Sequence, residues 1–283
     1  MSNIAYYNGS FAPIEQTFIP INDRGYYFGD GVYEVVYAYS KYPFALGDHM
    51  DRFYDSLRQA EITPRCGREE LISLIKQAIS MVEGDELTIY WQMTRGTAPR
   101  QHAYPDDSQS NLLITVSPHY TDPSIYTDGV KCITQEDDRW LRCNIKTLNL
   151  LPNVMATQLA VSKGCAEAIL HRDGIVTEGA SSSVCIVKDG SLIMRPFSPL
   201  ILPSVTRLHI FELAQQLGIN IIEKVFSLSE LLDADEVLIA SAGRHCLGVT
   251  AVDDKVYGDA PGPITMALHN AYQAMVQDAI AQG

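Results

Sequence analysis

The sequence predicts a mixed α/β protein, of the α+β kind, with two domains. Its 283 residues are more than a typical single core needs and suit two domains. Segments with strand-like alternation and segments with helical periodicity follow one another along the chain. The turn formers of SPHYTDP, residues 117–123, indicate a linker. We therefore expect a smaller N-terminal domain over residues 1–117, a linker over 118–123 and a larger C-terminal domain over 124–283.

The N-terminal domain is expected to combine strands with two amphipathic helices. Met50, Phe53 and Leu57 recur at helical spacing and predict a helix over 49–60. A second apolar stripe predicts a helix over 69–82. Strands are expected at 32–39, 87–94 and 112–117.

The C-terminal domain is expected to alternate strands with helices. The run around Lys146 alternates between apolar and polar side chains and predicts a strand with two unlike faces. Helices are expected at 153–163, 204–217 and 263–281. Further strands are expected at 166–170, 184–188, 191–194, 220–225 and 236–240.

Composition limits the classes of function. A net charge of −13 and an isoelectric point near 4.9 argue against binding to nucleic acid or to anionic membranes. The first residues lack the features of a signal peptide, and no stretch approaches the roughly 18 apolar residues of a membrane span. The six cysteines stand singly, which favours neither a zinc site nor a disulfide framework. We expect a cytoplasmic protein that binds no metal.

Lys146 is the most informative residue. On the polar face of an interior strand, its ammonium must pair with a partner or lose its proton, and a neutral amine is a nucleophile. Such lysines bond covalently to pyridoxal 5′-phosphate (PLP), whose ring nitrogen then needs a carboxylate. Glu178 offers that carboxylate and is followed by three serines, Ser181–Ser183. Considered separately, Lys146 is also compatible with a side chain that reaches the surface.

Three separated segments carry a resemblance to a known family. They are DRGYYFGDGVYE (23–34), RWLRCNIKTLN (139–149) and VTEG (176–179). The chain resembles the fold-type IV PLP-dependent transaminases nearly end to end, and within them the bacterial D-amino-acid transaminases. The resemblance implies a small N-terminal α/β domain, a C-terminal domain with a β-barrel-like core, PLP bound between the domains, and a homodimer.

The resemblance also implies roles for individual residues. Lys146 would hold PLP covalently and move the substrate proton, while Glu178 would keep the ring nitrogen protonated. Arg52 would bind the cofactor phosphate through its planar guanidinium, although a solvated helical arginine is the alternative. The other cofactor-binding residues that it implies are Ser181, Ser182, Leu202, Val205, Thr206 and Ala242.

Substrate recognition is assigned by the same resemblance. Arg100 and His102, on a loop, would reach in from the partner subunit and bind the substrate α-carboxylate together with Tyr33. The alternative for the loop is a solvated surface segment. Branched-chain L-transaminases of this fold lack the Arg-x-His pair, so D-specificity is favoured.

Two departures from the family pattern stand near the expected phosphate site. Ser204 occupies a position where relatives carry glycine, and the turn at Ala242 lacks the hydroxyls of close relatives. Losing one neutral hydrogen bond weakens binding by about 1 kcal/mol. Arg244 and His245, in the same turn, suggest a preference for acidic substrates.

The sequence therefore predicts a PLP-dependent transaminase that moves an amino group from a D-amino acid such as D-alanine to a 2-oxo acid such as 2-oxoglutarate. Three alternatives stay open at this point. They are a branched-chain L-amino-acid transaminase, a lyase of the 4-amino-4-deoxychorismate type, and a PLP carrier without catalytic activity.

Overall fold

The structure is a computed structural model that describes residues 2–282. Its internal contacts divide the chain into two units. The first unit holds the chain up to Tyr120 together with Ile145–Asn149 and Gln282, and the second holds Thr121–Asn144 and Leu150–Ala281. Lys146 thus belongs to the first unit, whereas the sequence analysis assigned it to the C-terminal domain.

The first unit is a six-stranded antiparallel sheet with helices. Its strands, within the described residues, are β1 (Ile4–Tyr7), β2 (Ser10–Ala12), β3 (Gly31–Tyr39), β4 (Tyr42–Pro43), β5 (Leu87–Thr94) and β6 (Asn111–Pro118). They are ordered β2-β1-β6-β5-β3-β4. The helices are α1 (Arg24–Phe28), α2 (Leu46–Gln59) and α3 (Arg68–Met81), with a 3-10 turn at Ile14–Gln16. The predicted stripe of Met50, Phe53 and Leu57 on α2 is confirmed, because all three side chains are fully buried in the core of this unit.

The second unit is built on a mixed nine-stranded sheet. Its first elements are α4 (Ser124–Asp128), β7 (Val130–Glu136), α5 (Leu151–Ser162), β8 (Glu167–Arg172), β9 (Ile175–Gly179), β10 (Ser183–Lys188) and β11 (Ser191–Met194). The later ones are α6 (Val205–Gln216), β12 (Asn220–Glu223), α7 (Leu228–Leu232), β13 (Glu236–Ser241), β14 (His245–Val252), β15 (Lys255–Val256) and α8 (Pro263–Gln282). The strand order is β12-β11-β10-β13-β14-β7-β8-β9, and β15 pairs with β14. This architecture confirms the mixed α/β fold.

The predicted strand through Lys146 is wrong. The segment contains one isolated bridge, between Thr147 and Val32, and otherwise follows an irregular path. Its alternation is real, because Cys143, Ile145 and Thr147 are buried while Lys146 is half-buried. Two backbone bonds join the segment to β3, from the Tyr33 amide to the Lys146 carbonyl and from the Leu148 amide to the Gly31 carbonyl, and they are too few to form a ladder.

The other predicted elements form within three residues of their expected ends. The elements that were not predicted are α1, α4, α7, β1, β2, β4, β7, β9, β14 and β15. Across residues 2–282, none of the helices combines the length and the apolar character that crossing a membrane requires.

Candidate active site

Lys146 is fixed by its backbone against two elements of the first unit. Its amide donates to Ser56 Oγ on α2 at 3.2 Å, and its carbonyl accepts from the Tyr33 amide on β3 at 3.0 Å. Its Nζ lies 4.3 Å from the centre of the Tyr33 ring, a favourable position for a cation. Tyr33 stacks on Tyr90, with ring centres 5.6 Å apart. The structure therefore brings Lys146 and Tyr33 together.

Arg52 is held by a buried carboxylate that the sequence analysis did not assign. Its Nε and Nη2 donate to the two oxygens of Glu34 at 2.6 and 2.8 Å, which fixes the plane of the guanidinium. His49 Nδ1 lies 2.8 Å from the same carboxylate. Burial raises the pKa of Glu34, but Arg52 outweighs burial and holds the pKa well below its ordinary value. A carboxylate at a fully buried strand position needs a cation, and that requirement is the signal that could have identified the pair.

Burial also controls the charge of His49. It lowers the pKa of this imidazole, and Arg52 and Lys146 lower it further, while Glu34 opposes them. The neutral form of His49 is therefore favoured at pH 7.

Glu178, at the end of β9, is buried with both carboxylate oxygens engaged. Arg139 Nη1 donates to Oε1 at 2.6 Å, and the Leu202 amide donates to Oε2 at 3.0 Å. Burial raises the pKa of Glu178, and these two donors oppose the rise without reversing it. Each carboxylate oxygen has a second lone pair, so Glu178 can still accept a hydrogen bond from a protonated ring nitrogen.

Arg139 is shared between Glu178 and a second buried carboxylate. Its Nε and Nη2 donate to the two oxygens of Asp137, both at 2.9 Å, and Thr177 Oγ1 donates to Asp137 at 2.9 Å. Arg172 Nε adds a contact to Asp137 at 3.2 Å. Burial raises the pKa of Asp137, but Arg139 outweighs burial and lowers it overall. The sequence analysis quoted Arg139 within a motif but gave neither residue a role.

Ser181 and Ser182 direct their hydroxyls to Glu167. The Ser181 and Ser182 hydroxyls donate to Glu167 Oε2 at 2.7 and 2.9 Å, and the Ser181 amide donates to the same oxygen at 3.2 Å. Glu167 is fully buried at the start of β8. Each serine oxygen therefore presents its lone pairs, and not its proton, to any further partner.

The start of α6 has the features of an anion-binding helix N-terminus. Ser204 is the N-cap, and its Oγ accepts from the Arg207 amide at 3.2 Å. The next two amides, of Val205 and Thr206, are at positions that have no acceptor within a helix. Such amides attract phosphate. The departure from glycine at Ser204 thus supplies a capping hydroxyl.

In the turn at Ala242, Arg244 and His245, which suggested a preference for acidic substrates, have different surroundings. Arg244 is half-buried, and its Nη1 donates to the Ala166 carbonyl at 3.2 Å. His245 is buried and stacks on Tyr272, with ring centres 4.8 Å apart. The imidazole is thus part of an aromatic cluster in the second unit.

Arg100 and His102 lie on an exposed loop and share one aromatic ring. The Arg100 guanidinium carbon is 5.2 Å from the centre of the Phe28 ring, and the His102 ring centre is 5.4 Å from it. Among residues 2–282, no hydrogen bond or ring contact joins this pair to Lys146 or Tyr33.

The side chains fit PLP chemistry. The first unit offers an amine at Lys146 and an oriented guanidinium at Arg52. The second offers the buried carboxylate of Glu178 and the amides at the start of α6, with the turn at Ala242. An amine, a carboxylate and phosphate-binding groups are what the aldehyde, the ring nitrogen and the phosphate of PLP require.

Comparison with known proteins agrees with this chemistry. The family description "Amino-transferase class IV" matches residues 31–252. The D-alanine aminotransferase of Bacillus licheniformis is 39% identical over 268 residues, covering 94% of this chain and 95% of that protein. The D-alanine aminotransferase of Staphylococcus epidermidis is 38% identical, covering 96% and 97%.

Solved structures show the same fold. The branched-chain amino acid aminotransferase of Escherichia coli superposes with a TM-score of 0.91 at 23% identity, covering 98% of this chain and 95% of that one. The branched-chain aminotransferase of Thermoproteus uzoniensis, in its structure with norvaline, gives a TM-score of 0.88 at 24% identity, covering 98% and 95%. From its sequence, its fold and its donor groups, the chain belongs to the class IV aminotransferases.

Proposed function

We propose that the protein is a D-amino-acid transaminase, which transfers the amino group of D-alanine or a related D-amino acid to a 2-oxo acid such as 2-oxoglutarate. The observation that carries this proposal is the 39% identity, along 94% of the chain, to a D-alanine aminotransferase. The solved relatives named as branched-chain aminotransferases share the fold at 23% and 24% identity, and this identity does not decide the substrate.

PLP, when bound, supplies an aldehyde for the amino group and a ring that delocalises the electrons of the substrate α-carbon. Lys146 Nζ would hold the cofactor between turnovers and would move a proton between the substrate α-carbon and the cofactor. Glu178 keeps a proton on the ring nitrogen. The donor leaves as an oxo acid before the acceptor enters, so the two substrates use one site in turn.

The phosphate and the carboxylate have separate receptors in this proposal. Arg52 and the amides of Val205 and Thr206 bind the phosphate, with Ala242, Ser181 and Ser182 around the cofactor. Arg100, His102 and Tyr33 bind the substrate α-carboxylate and choose which face of the substrate presents its α-hydrogen to Lys146.

We further infer a homodimer in the cytoplasm, in which Arg100 and His102 of one copy serve the substrate held at Lys146 of the other. The exposure of this loop and the resemblance to fold-type IV transaminases support the dimer. The six cysteines, all of them free thiols, support a reducing compartment. The dimer is tested by mixing Lys146→Ala and Arg100→Ala chains, each of low activity alone. Mixed dimers regain one complete site if the loop acts across the dimer, and regain no activity if it acts within its own chain.

The first test of the activity is the absorbance of the yellow holoenzyme after addition of D-alanine or L-leucine, without an oxo acid. We expect the cofactor band to be lost with D-alanine only. Loss with L-leucine only would overturn D-specificity and support a branched-chain enzyme. Release of pyruvate from aminodeoxychorismate without an oxo acid would support a lyase instead.

Lys146→Ala tests the role of the lysine. The variant is expected to fold and to bind PLP non-covalently, but to lose nearly all turnover. Lys163→Ala, which removes an exposed lysine at the end of α5, is the matched control and keeps full activity. Turnover of Lys146→Ala at the wild-type rate would refute the assignment.

A further inference from the structure

A buried arginine of α1, Arg24, donates hydrogen bonds to the backbone of the loop that carries Arg100 and His102. Arg24 Nη1 donates to the Gln101 carbonyl at 2.6 Å and to the Ala103 carbonyl at 3.3 Å. Its Nη2 donates to the His102 carbonyl at 3.3 Å. One guanidinium thus binds three successive carbonyls of an exposed loop, although only 3% of Arg24 is exposed.

The bond from Arg24 Nε to Asp30 fixes the orientation of the guanidinium. Its Nε donates to Asp30 at 2.7 Å, and Asp30 also accepts from Arg95 Nε at 2.9 Å. Arg95 continues to the carbonyls of Ala60 and Glu61, at 2.8 and 2.6 Å. The planar guanidinium of Arg24 is therefore set by a carboxylate that is itself anchored, which a flexible ammonium would not reproduce.

Phe28, at the other end of the same helix, supports the side chains of the loop. Arg100 and His102 both lie on its ring, and Arg24 lies 4.9 Å from the ring centre. Both ends of α1 are capped. Asp23 caps it by accepting from the Gly25 amide at 2.7 Å, and Gly29 ends it in the left-handed region at φ 62°.

We propose that Arg24 and Phe28 are positioning residues that hold Arg100 and His102 in the arrangement that binds a carboxylate. This inference rests on the proposed function, in which these two side chains receive the substrate α-carboxylate. A cation and an imidazole on a loop lose conformational entropy when they converge on one carboxylate. Arg24 and Phe28 remove much of that loss beforehand, because Arg24 fixes the backbone of residues 101–103 and the Phe28 ring contacts both side chains.

The expected signature is a change in substrate binding with little change in the chemical step. We expect Arg24→Lys and Phe28→Leu each to raise the KM for D-alanine about tenfold, with kcat within about twofold of wild type. Propionate, a carboxylate without an amino group, should lose the same factor as an inhibitor. PLP affinity should be unchanged in both variants, and Phe28→Tyr, which keeps the ring, should retain the wild-type KM.

Arg68→Lys is the control, because the Arg68 guanidinium also joins a carboxylate to a backbone carbonyl, but its partners, Asp51 and Gly47, both lie on α2. Its KM for D-alanine should stay unchanged. If Arg24→Lys does not fold, Phe28→Leu with its tyrosine counterpart decides the question.

Arg100→Ala separates a failure of this inference from a failure of the proposed function. If Arg100→Ala raises KM but Arg24→Lys and Phe28→Leu do not, the positioning role is overturned and the transaminase proposal stands. If KM and kcat worsen together in Phe28→Leu, the effect is general damage and the positioning role is likewise overturned. If Arg100→Ala leaves KM for D-alanine unchanged, the carboxylate receptor of the proposed function fails, and this inference fails with it.

Discussion

Replacing Arg139 by methionine should lower the free energy of unfolding, because it removes the cation shared by the buried carboxylates Asp137 and Glu178. Arg139 Nη1 bonds Glu178 at 2.6 Å, and its other donors bond Asp137 at 2.9 Å. Both carboxylates are only 5% exposed, so water does not replace the lost guanidinium. Asp137 keeps Arg172 and Thr177, whereas Glu178 keeps only the Leu202 amide among its described partners.

The size of the loss follows from that geometry. Breaking a buried ion pair by removing one partner costs about 3–5 kcal/mol. Glu178 can reduce the loss by taking up a proton, because removing Arg139 raises its folded-state pKa further. A raised folded-state pKa contributes stability at low pH that is lost as the pH rises. Arg139→Met should therefore be more destabilised at pH 8 than at pH 6.

The measurement is denaturant unfolding of the apoprotein, made in a double-mutant cycle with Glu178→Gln. The neutral amide removes the buried charge, so Arg139→Met should cost less in that background by at least about 1 kcal/mol. Arg58→Met is the control. Arg58 pairs with Asp55 at the surface, with side chains 74% and 45% exposed, and surface pairs contribute less than about 1 kcal/mol. Equal losses in the wild-type and Glu178→Gln backgrounds would refute the coupling.

Two further predictions concern the first unit. Because burial lowers the folded-state pKa of His49, the unfolded chain binds the proton more readily, and stability falls as the pH drops below the unfolded value of about 6.5. His49→Gln should flatten that fall in unfolding titrations by up to about 1.4 kcal/mol per pH unit, and an unchanged slope contradicts the assignment. Gly96→Ala should destabilise more than Gly84→Ala, by about 1–3 kcal/mol in thermal unfolding, because both have positive φ but only at Gly96 would the new methyl collide with the Gln109 carbonyl. Equal losses would show that the collision is relieved.

Local patterns were enough to predict most regular elements of the fold. The stripe on α2 and the run of β5 are set by side-chain periodicity, and both formed close to their predicted bounds. Elements such as β9 and β14 were not predicted. Every residue of β14 is buried, so its sequence shows no alternation to detect.

Sequence motifs predicted the residues of the candidate site but not their pairings. Lys146 and Glu178 came from motifs, whereas the partners that set their environment come from distant parts of the chain. Arg139 is 39 positions from Glu178, and Ser56 is 90 positions from Lys146. Sequence spacing carries no information about such contacts when no helix or strand period links the residues. The Lys146 segment shows the same limit, because burial alternates there although only one isolated bridge pairs the segment with β3.

Two buried glutamates, one in each unit, show how the geometry of the partners sets the pKa of a carboxylate. Glu34 receives two bonds from Arg52, which hold its pKa well below the ordinary range. Glu178 receives one bond from Arg139, which gives two to Asp137, and its pKa stays raised. A carboxylate whose charge is only partly compensated stabilises a neighbouring cation more than a fully compensated one. Because Asp137 takes two of the three Arg139 bonds, this uncompensated charge is the property that the proposed role of Glu178 at the ring nitrogen requires.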